Sequence, residues 1–203
     1  MIAVVDYGVG NLYSLLCSLS HIGAEGTVTR DPETLLRADK IILPGVGAFG
    51  DAADKLRALG LDALLVNQAK LGKPLLGVCL GMQLLFDRGY EYGTHAGLGL
   101  IRGEVRPMAP HTGSLKVPHM GWNSLDFQKP DDPLLRGVRE GDYVYFVHSF
   151  YAADCEPALV ATASYGVPVA AVVRSGNVCG TQFHPEKSGE TGLAILANFA
   201  KGA

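Results

Sequence analysis

One cysteine in this chain stands where a thiol can act as a nucleophile. Gly77-Val78-Cys79-Leu80-Gly81 is a G-x-C-x-G pattern between an apolar run, Pro74–Val78, and a helix-forming stretch, Leu80–Asp87. The corresponding G-x-S-x-G pattern marks the nucleophile elbow of hydrolases, a sharp strand-to-helix turn. Glycines on either side remove side chains that would collide there. The start of the following helix offers free N–H groups and positive potential, both of which favour thiolate over thiol. The N–H of Leu80 can also face a developing oxyanion. For an isolated cysteine the competing reading is a small buried side chain. That reading suffices for Cys17, Cys155 and Cys179, which lack such a setting.

A thiol nucleophile needs a base to take its proton and return it to the leaving group. Gln182-Phe183-His184-Pro185-Glu186 follows an apolar run and puts His184 at a strand end. Glu186, across a rigid proline, can accept a hydrogen bond from the second ring nitrogen and fix the tautomer. Cys79 and His184 are far apart in sequence, as expected when the fold brings them together. His21, His95 and His111 read as surface or loop residues. No cysteine pair has C-x-x-C spacing, so no metal site is expected.

The elements that must position these groups alternate. Ile2–Val5 reads as a short buried strand, and Gly26–Arg30, Lys40–Leu43 and Pro74–Val78 read as further strands. Between them lie a helix with Leu12, Leu15, Leu16, Leu19 and Ile22 at helical spacing, a helix entered through Asp31-Pro32-Glu33, and two helical stretches within Asp51–Lys70. Such alternation means βαβ units, a largely parallel sheet and helices on both faces. Ligands gather at the carboxyl ends of such strands, where Asp6–Asn11, Pro44–Gly50 and Val78–Gly81 fall. After about residue 100 the pattern turns to strands: Ile101–Met108, Val117–Phe127, Asp142–Ala152, Ala158–Tyr165, Val169–Arg174 and Val178–Phe183. Tyr165-Gly166 and Ser175-Gly176-Asn177 suggest hairpins, and a last helix runs over Gly189–Lys201. Arg88–Gly99 reads as an irregular surface loop. The expectation is α/β: one domain over 1–203, a mixed, largely parallel central sheet and a small antiparallel portion in the C-terminal half.

Composition narrows the classes. The 203 residues are 48% apolar and 18% charged with a formal net charge of −3, which suits a globular chain rather than a disordered one. No basic tract points to nucleic acid, and no stretch approaches the roughly 18 apolar residues of a membrane span. Asp6 interrupts the N-terminal apolar run too early for a signal peptide, so a soluble, cytoplasmic protein with free thiols is expected. The Gly8-x-Gly10 turn lacks the third glycine of a dinucleotide fingerprint, and no Walker-type phosphate loop is present.

Gly77–Gly81 with Gln83, followed about a hundred residues later by His184-Pro185-Glu186, resembles the class I, triad-type glutamine amidotransferase domain over essentially the whole chain. Within that family, Asp6–Asn11, Pro44–Gly50, Pro118–Asn123 and His184–Ser188 together resemble the glutaminase subunits that serve histidine biosynthesis. The resemblance implies glutamine as substrate and Cys79, His184 and Glu186 as catalytic groups. It implies that Gln83 and the segment His148-Ser149-Phe150 contact the substrate. Oxyanion donors are expected from Leu80 and from Gly45-Val46-Gly47, where two glycines make a peptide flip cheap, which points to a loop that completes the oxyanion hole only when a partner is engaged. The implied partner is a separate (β/α)8-barrel cyclase subunit, forming a heterodimer that uses the ammonia to make imidazole glycerol phosphate. The candidate docking face is Asn11, His119, Met120, Trp122, Asn123, Tyr143 and Lys187. No metal or organic cofactor is implied. A glutaminase serving another synthase, such as pyridoxal phosphate synthase, a noncatalytic regulatory subunit on the same fold, and a cysteine peptidase on a related fold are the alternatives.

Overall fold

The unbroken apolar runs of the N-terminal half are strands covered on both sides. In the computed structural model, which describes residues 1–202, β1 (Ile2–Val5) sends Ala3 and Val5 into one core and Ile2 and Val4 into the other. That is why the run shows no polar alternation. Helix α1 (Leu12–His21) returns to β2 (Gly26–Thr29), and α2 (Pro32–Arg37) leads to β3 (Lys40–Leu43). Asp31 caps α2 through its side chain, which accepts from the Thr34 N–H. Helices α3 (Phe49–Ala58) and α4 (Leu61–Lys70) precede β4 (Leu75–Val78).

The next helix, α5, spans only Leu80–Gln83, shorter than the sequence pattern suggests. The carbonyls of Leu84, Leu85 and Phe86, which would carry it onward, instead accept from the backbone N–H groups of Leu98, Leu100, Ile101 and Gly99. The segment 88–99, read as irregular, contains two short strands, β5 (Arg88–Gly89) and β6 (His95–Ala96). They join β7 (Glu104–Pro107) and β11 (Phe150–Ala153) in a four-stranded sheet of order β11-β7-β5-β6.

β8 (His119–Ser124) and β10 (Tyr143–His148) form an antiparallel ribbon, with β9 (Asp126–Phe127) between them in the chain. The long run Asp142–Ala152 is therefore not one strand. It breaks at Ser149 and sends β10 and β11 into different sheets. The remaining elements are β12 (Leu159–Ser164), β13 (Pro168–Ser175), β14 (Val178–Thr181) and α6 (Gly189–Lys201).

The main sheet has eight strands in the order β2-β1-β3-β4-β14-β13-β12-β9. The pairings from β2 through β14 are parallel and those beyond are antiparallel. Leu15 and Leu19 of α1 and Ile195, Leu196 and Phe199 of α6 cover one face; Leu35, Leu56, Leu61 and Leu65 cover the other. The carboxyl ends of β1, β3, β4 and β14 thus converge on one edge, as expected for a ligand site in an open α/β sheet. Among the described residues no helix is long and apolar enough to cross a membrane.

Candidate active site

Cys79 follows β4 directly and occupies a backbone conformation of φ 55° and ψ −112°. A non-glycine residue in such a region costs on the order of 1–3 kcal/mol and persists only where its surroundings enforce it. Here they do. The Cys79 N–H donates to the Thr181 carbonyl at 2.7 Å, and α5 begins at once. The flanking glycines have a steric cause. A Cβ on Gly77 would lie 2.6 Å from the Gly81 carbonyl oxygen and from Cα of Met82; one on Gly81 would collide with the Leu43 carbonyl oxygen.

His184 arrives by topology. β14 lies beside β4 in parallel register, with Thr181 opposite Val78, so residues just past the two strand ends are neighbours. His184 and Cys79 are both buried and share one cavity of about 410 Å³. His184 Nδ1 donates to Glu186 Oε1 at 2.8 Å, and the Glu186 side chain is 1% exposed. Burial opposes a charge on His184. The hydrogen bonds and negative charges of Cys79 and Glu186 outweigh it and push the imidazole's pKa up to about 10. Ser188 anchors this turn: its hydroxyl donates to the His184 carbonyl at 2.6 Å and accepts from the Tyr145 N–H at 3.0 Å.

The remaining expected contacts sort clearly. Leu80, Gln83, Val46, Gly47, His148, Ser149 and Phe150 line the same cavity as Cys79 and His184. Val46 and Gly47 sit exposed at its mouth, whereas Gly45 is buried beneath them. A Cβ on Gly45 would lie 2.7 Å from Tyr7 Oη and 2.8 Å from the Gly81 nitrogen. The Tyr7 hydroxyl donates to the Pro44 carbonyl at 2.7 Å and so holds the loop against the elbow. The N–H groups of Leu80, Gly81 and Met82 open α5 and have no acceptor within the helix.

On the ribbon, Met120, Trp122 and Tyr143 are 61%, 55% and 59% exposed, Lys187 is exposed, and Asn11 and Asn123 are half-buried. His119 departs from the expectation of a docking-face residue. It is buried, stacked between Phe146 and Tyr165 with ring centroids 4.6 and 4.0 Å away, and hydrogen-bonded to His148. The period-two alternation of β8 turns His119 inward while Met120 and Trp122 turn outward.

The sequence pattern assigns no individual role to Glu91 and Pro118, which also line the cavity, or to Tyr7 and Gln182. Glu91 comes from the segment read as irregular, and its carboxylate accepts from the Phe49 N–H at 2.7 Å at the start of α3. Gln182 carried a usable signal: it lies two residues before His184 at the end of β14. Among the described residues no group of three or more His, Cys, Asp or Glu side chains is arranged to hold a metal ion.

Comparison with known proteins identifies the family. The family model described as "Glutamine amidotransferase class-I" matches residues 3–203. The chain is 52% identical over 207 residues to "Imidazole glycerol phosphate synthase subunit HisH" of Bacillus subtilis, covering 100% of this chain and 97% of that one. It is 48% identical over 204 residues to the protein of the same name from Wolinella succinogenes, covering 99% of each. Among solved structures, one titled "Crystal structure of glutamine amidotransferase" superposes with a TM-score of 0.76 at 19% identity over the whole of both chains. "Structure of PurLQS from Thermotoga maritima" gives 0.75 at 23% identity, covering 98% of this chain and 97% of that one. At those identities the structural likenesses speak to the fold.

Proposed function

The chain belongs to the class-I glutamine amidotransferase family, and from that premise we infer that it is the glutaminase subunit of an imidazole glycerol phosphate synthase. It hydrolyses glutamine to glutamate and ammonia. The observation that carries the assignment of roles is the meeting of Cys79, on its strained elbow, with His184 backed by Glu186 at 2.8 Å. The Cys79 thiolate attacks the side-chain amide carbon of glutamine. Negative charge moves to the amide oxygen, where the Leu80 N–H and an N–H of the Gly45–Gly47 loop receive it. His184 gives its proton to the departing nitrogen, ammonia leaves and a glutamyl thioester remains. Water, deprotonated by His184, attacks that thioester and releases glutamate with the thiolate restored. Glu186 orients the imidazole and stabilises its charged form. Gln83 and His148-Ser149-Phe150 hold the rest of the substrate.

The ammonia goes to a separate (β/α)8-barrel cyclase subunit in a heterodimer. The exposed face of the β8–β10 ribbon, with Met120, Trp122 and Tyr143, is the candidate docking surface, since exposed aromatic and Met side chains suit an interface. Asn11, Asn123 and Lys187 extend it, and His119 supports it from below. Work on a phosphorylated ribotide is assigned to the cytoplasm. The test is glutamate release by the pure chain, with and without a cyclase subunit and its ribotide ligand, beside Cys79→Ala. Activation by cyclase plus ligand that vanishes in Cys79→Ala is the expected result. Activity indifferent to the cyclase would transfer the chain to another synthase, and inactivity in every condition would refute the catalytic assignment.

A further inference from the structure

A continuous run of hydrogen bonds leads from the sulfur of Cys79 to the ribbon. Gln182 Nε2 donates to Cys79 Sγ at 3.8 Å. Gln182 Oε1 accepts from Gln83 Nε2 at 3.0 Å, and Gln83 Nε2 also donates to the Phe150 carbonyl at 3.0 Å. That carbonyl is shared with His148 Nδ1 at 2.8 Å. His148 Nε2 faces His119 Nδ1 at 2.9 Å, and His119 Nε2 faces Asn123 Nδ2 at 3.3 Å. Asn123 Nδ2 reaches the Ser164 carbonyl at 2.9 Å as well.

A single placement of hydrogens satisfies this run. The Phe150 carbonyl only accepts, so His148 carries its hydrogen on Nδ1 and Nε2 accepts. Burial pushes His148 down to about 3 and His119 down to about 4, which keeps both rings neutral at ordinary pH. His119 must then donate from Nδ1 and accept Asn123 on Nε2. On the other arm both amide hydrogens of Gln83 are committed, to the Phe150 carbonyl and to Gln182 Oε1. If the Gln182 amide turned over, two NH2 groups would face each other. Its N–H is therefore fixed toward the sulfur.

Gln182 is fully buried. Burying a side-chain amide is costly unless it is hydrogen-bonded, and an apolar side chain of similar size would fill the volume without that demand. What the amide adds is a donor aimed at sulfur. A donor favours the charged form of an acceptor, so it selects thiolate over thiol. His184, backed by Glu186, supplies the positive partner, and Tyr7, His148 and Glu91 are the other titratable groups nearby. We propose that Gln182 is a positioning residue of the nucleophile, its amide locked by Gln83, itself held by the Phe150 carbonyl, so that it donates to the Cys79 sulfur and favours the reactive thiolate. The proposal rests on the reading of Cys79 as nucleophile.

Alkylation of Cys79 by iodoacetamide against pH tests it, read by peptide mapping so that exposed Cys17 is counted apart. The reaction needs neither glutamine nor cyclase. Gln182→Leu removes the donor; Gln182→Glu keeps the volume and the acceptor for Gln83 but sets a carboxylate at the sulfur. Both are expected to raise the pH midpoint of Cys79 alkylation. Gln182→Leu slows the reaction at pH 7 by about tenfold to a hundredfold, the range for one hydrogen bond to a charged acceptor, and Gln182→Glu slows it further. Thermal melts run in parallel separate this from a packing defect, which would lower the melting temperature and leave the midpoint in place. Should Gln182→Leu not fold, the isosteric Gln182→Glu decides. An unchanged midpoint in a folded variant overturns the proposal. A Cys79 that is inert in the unsubstituted chain would instead overturn the nucleophile reading beneath it.

Discussion

Replacing Gly81 by alanine sets two physical effects against each other, and they predict opposite signs. Gly81 opens α5 without a left-handed backbone, so helix propensity alone favours alanine by about 1 kcal/mol. Sterics oppose it. The added Cβ would collide with the Leu43 carbonyl oxygen and lie 2.8 Å from its carbon and 3.1 Å from the Pro44 carbonyl carbon. All of these are backbone atoms at the end of β3, so no side chain can swing aside. The Pro44 carbonyl is also tied to the Tyr7 hydroxyl. Overpacking of this kind costs roughly 1–3 kcal/mol, occasionally more, and the backbone targets put this case at the upper end. The net change is a destabilisation of about 1–2 kcal/mol, a fall in melting temperature of about 2–8 °C for a domain of this size. The shift also displaces Gly45–Gly47 from the elbow, and loss of one oxyanion donor lowers turnover about 10²–10³-fold. Thermal unfolding by circular dichroism and glutamate release with saturating cyclase read the two effects. A melting temperature equal to or above the parent's, with turnover intact, would refute the close approach of the β3 loop to the elbow.

Glu186→Gln keeps the shape and the acceptor for His184 but removes the charge, so the pKa of His184 falls from its value near 10, by a unit or more, as titration of the imidazole nitrogens by NMR would record. Because the folded pKa of His184 is raised, its contribution to stability is complete below about pH 6.5 and is lost as pH rises through 10; the stability gap between parent and variant, measured by urea unfolding, should close over that window. His119 and His148 carry the opposite sign. Their folded values lie near 4 and 3, so the unfolded chain takes up protons first as pH falls below about 6.5. Urea midpoints should therefore decline steadily from pH 6.5 to pH 4, and a flat profile in a His119→Phe, His148→Phe double variant that still folds would assign the decline to this pair.

The parallel half of the fold was legible because β1, β3 and β4 are apolar on both faces and the intervening helices show a cap or a period. Lys40–Leu43 and Gly189–Lys201 have the limits that the residues suggested. The proposed nucleophile and base were legible for a related reason: both sit at strand ends, and strand ends show in sequence as a break in an apolar run. The C-terminal half was less so. An apolar stretch such as Asp142–Ala152 has no local mark that it changes sheets at Ser149, because the break is made by different partners, His119–Ser124 on one side and Glu104–Pro107 on the other. His119 was misplaced because its burial comes from partners distant in sequence: it is stacked between Phe146 and Tyr165 and hydrogen-bonded to His148, 29 residues away. Gln182 escaped notice because its meaning depends on Gln83 and Cys79, which approach it only through the neighbouring strand.

The β8–β10 ribbon joins the exposed face to the chemistry by its own backbone. A two-stranded ribbon is marginal alone in water, and this one leans on the turn that carries the base. The His184 N–H donates to the Tyr145 carbonyl at 3.1 Å, and the Tyr145 N–H donates to Ser188 Oγ. Tyr145 lies opposite Trp122, with ring centroids 6.1 Å apart, while the carbonyl of Val147, two residues on, lies 3.9 Å from the Cys79 sulfur. Outward Tyr143 and the carbonyls of Tyr145 and Val147, which border His184 and Cys79, thus belong to alternate residues of β10, the strand paired with the one that carries Met120 and Trp122. A partner that covers Met120, Trp122 and Tyr143 stabilises the ribbon, and the same hydrogen bonds then hold the His184 turn more firmly. Coupling between docking and catalysis by this route needs no displacement of the triad, only suppression of local opening in a ribbon that is otherwise half-covered.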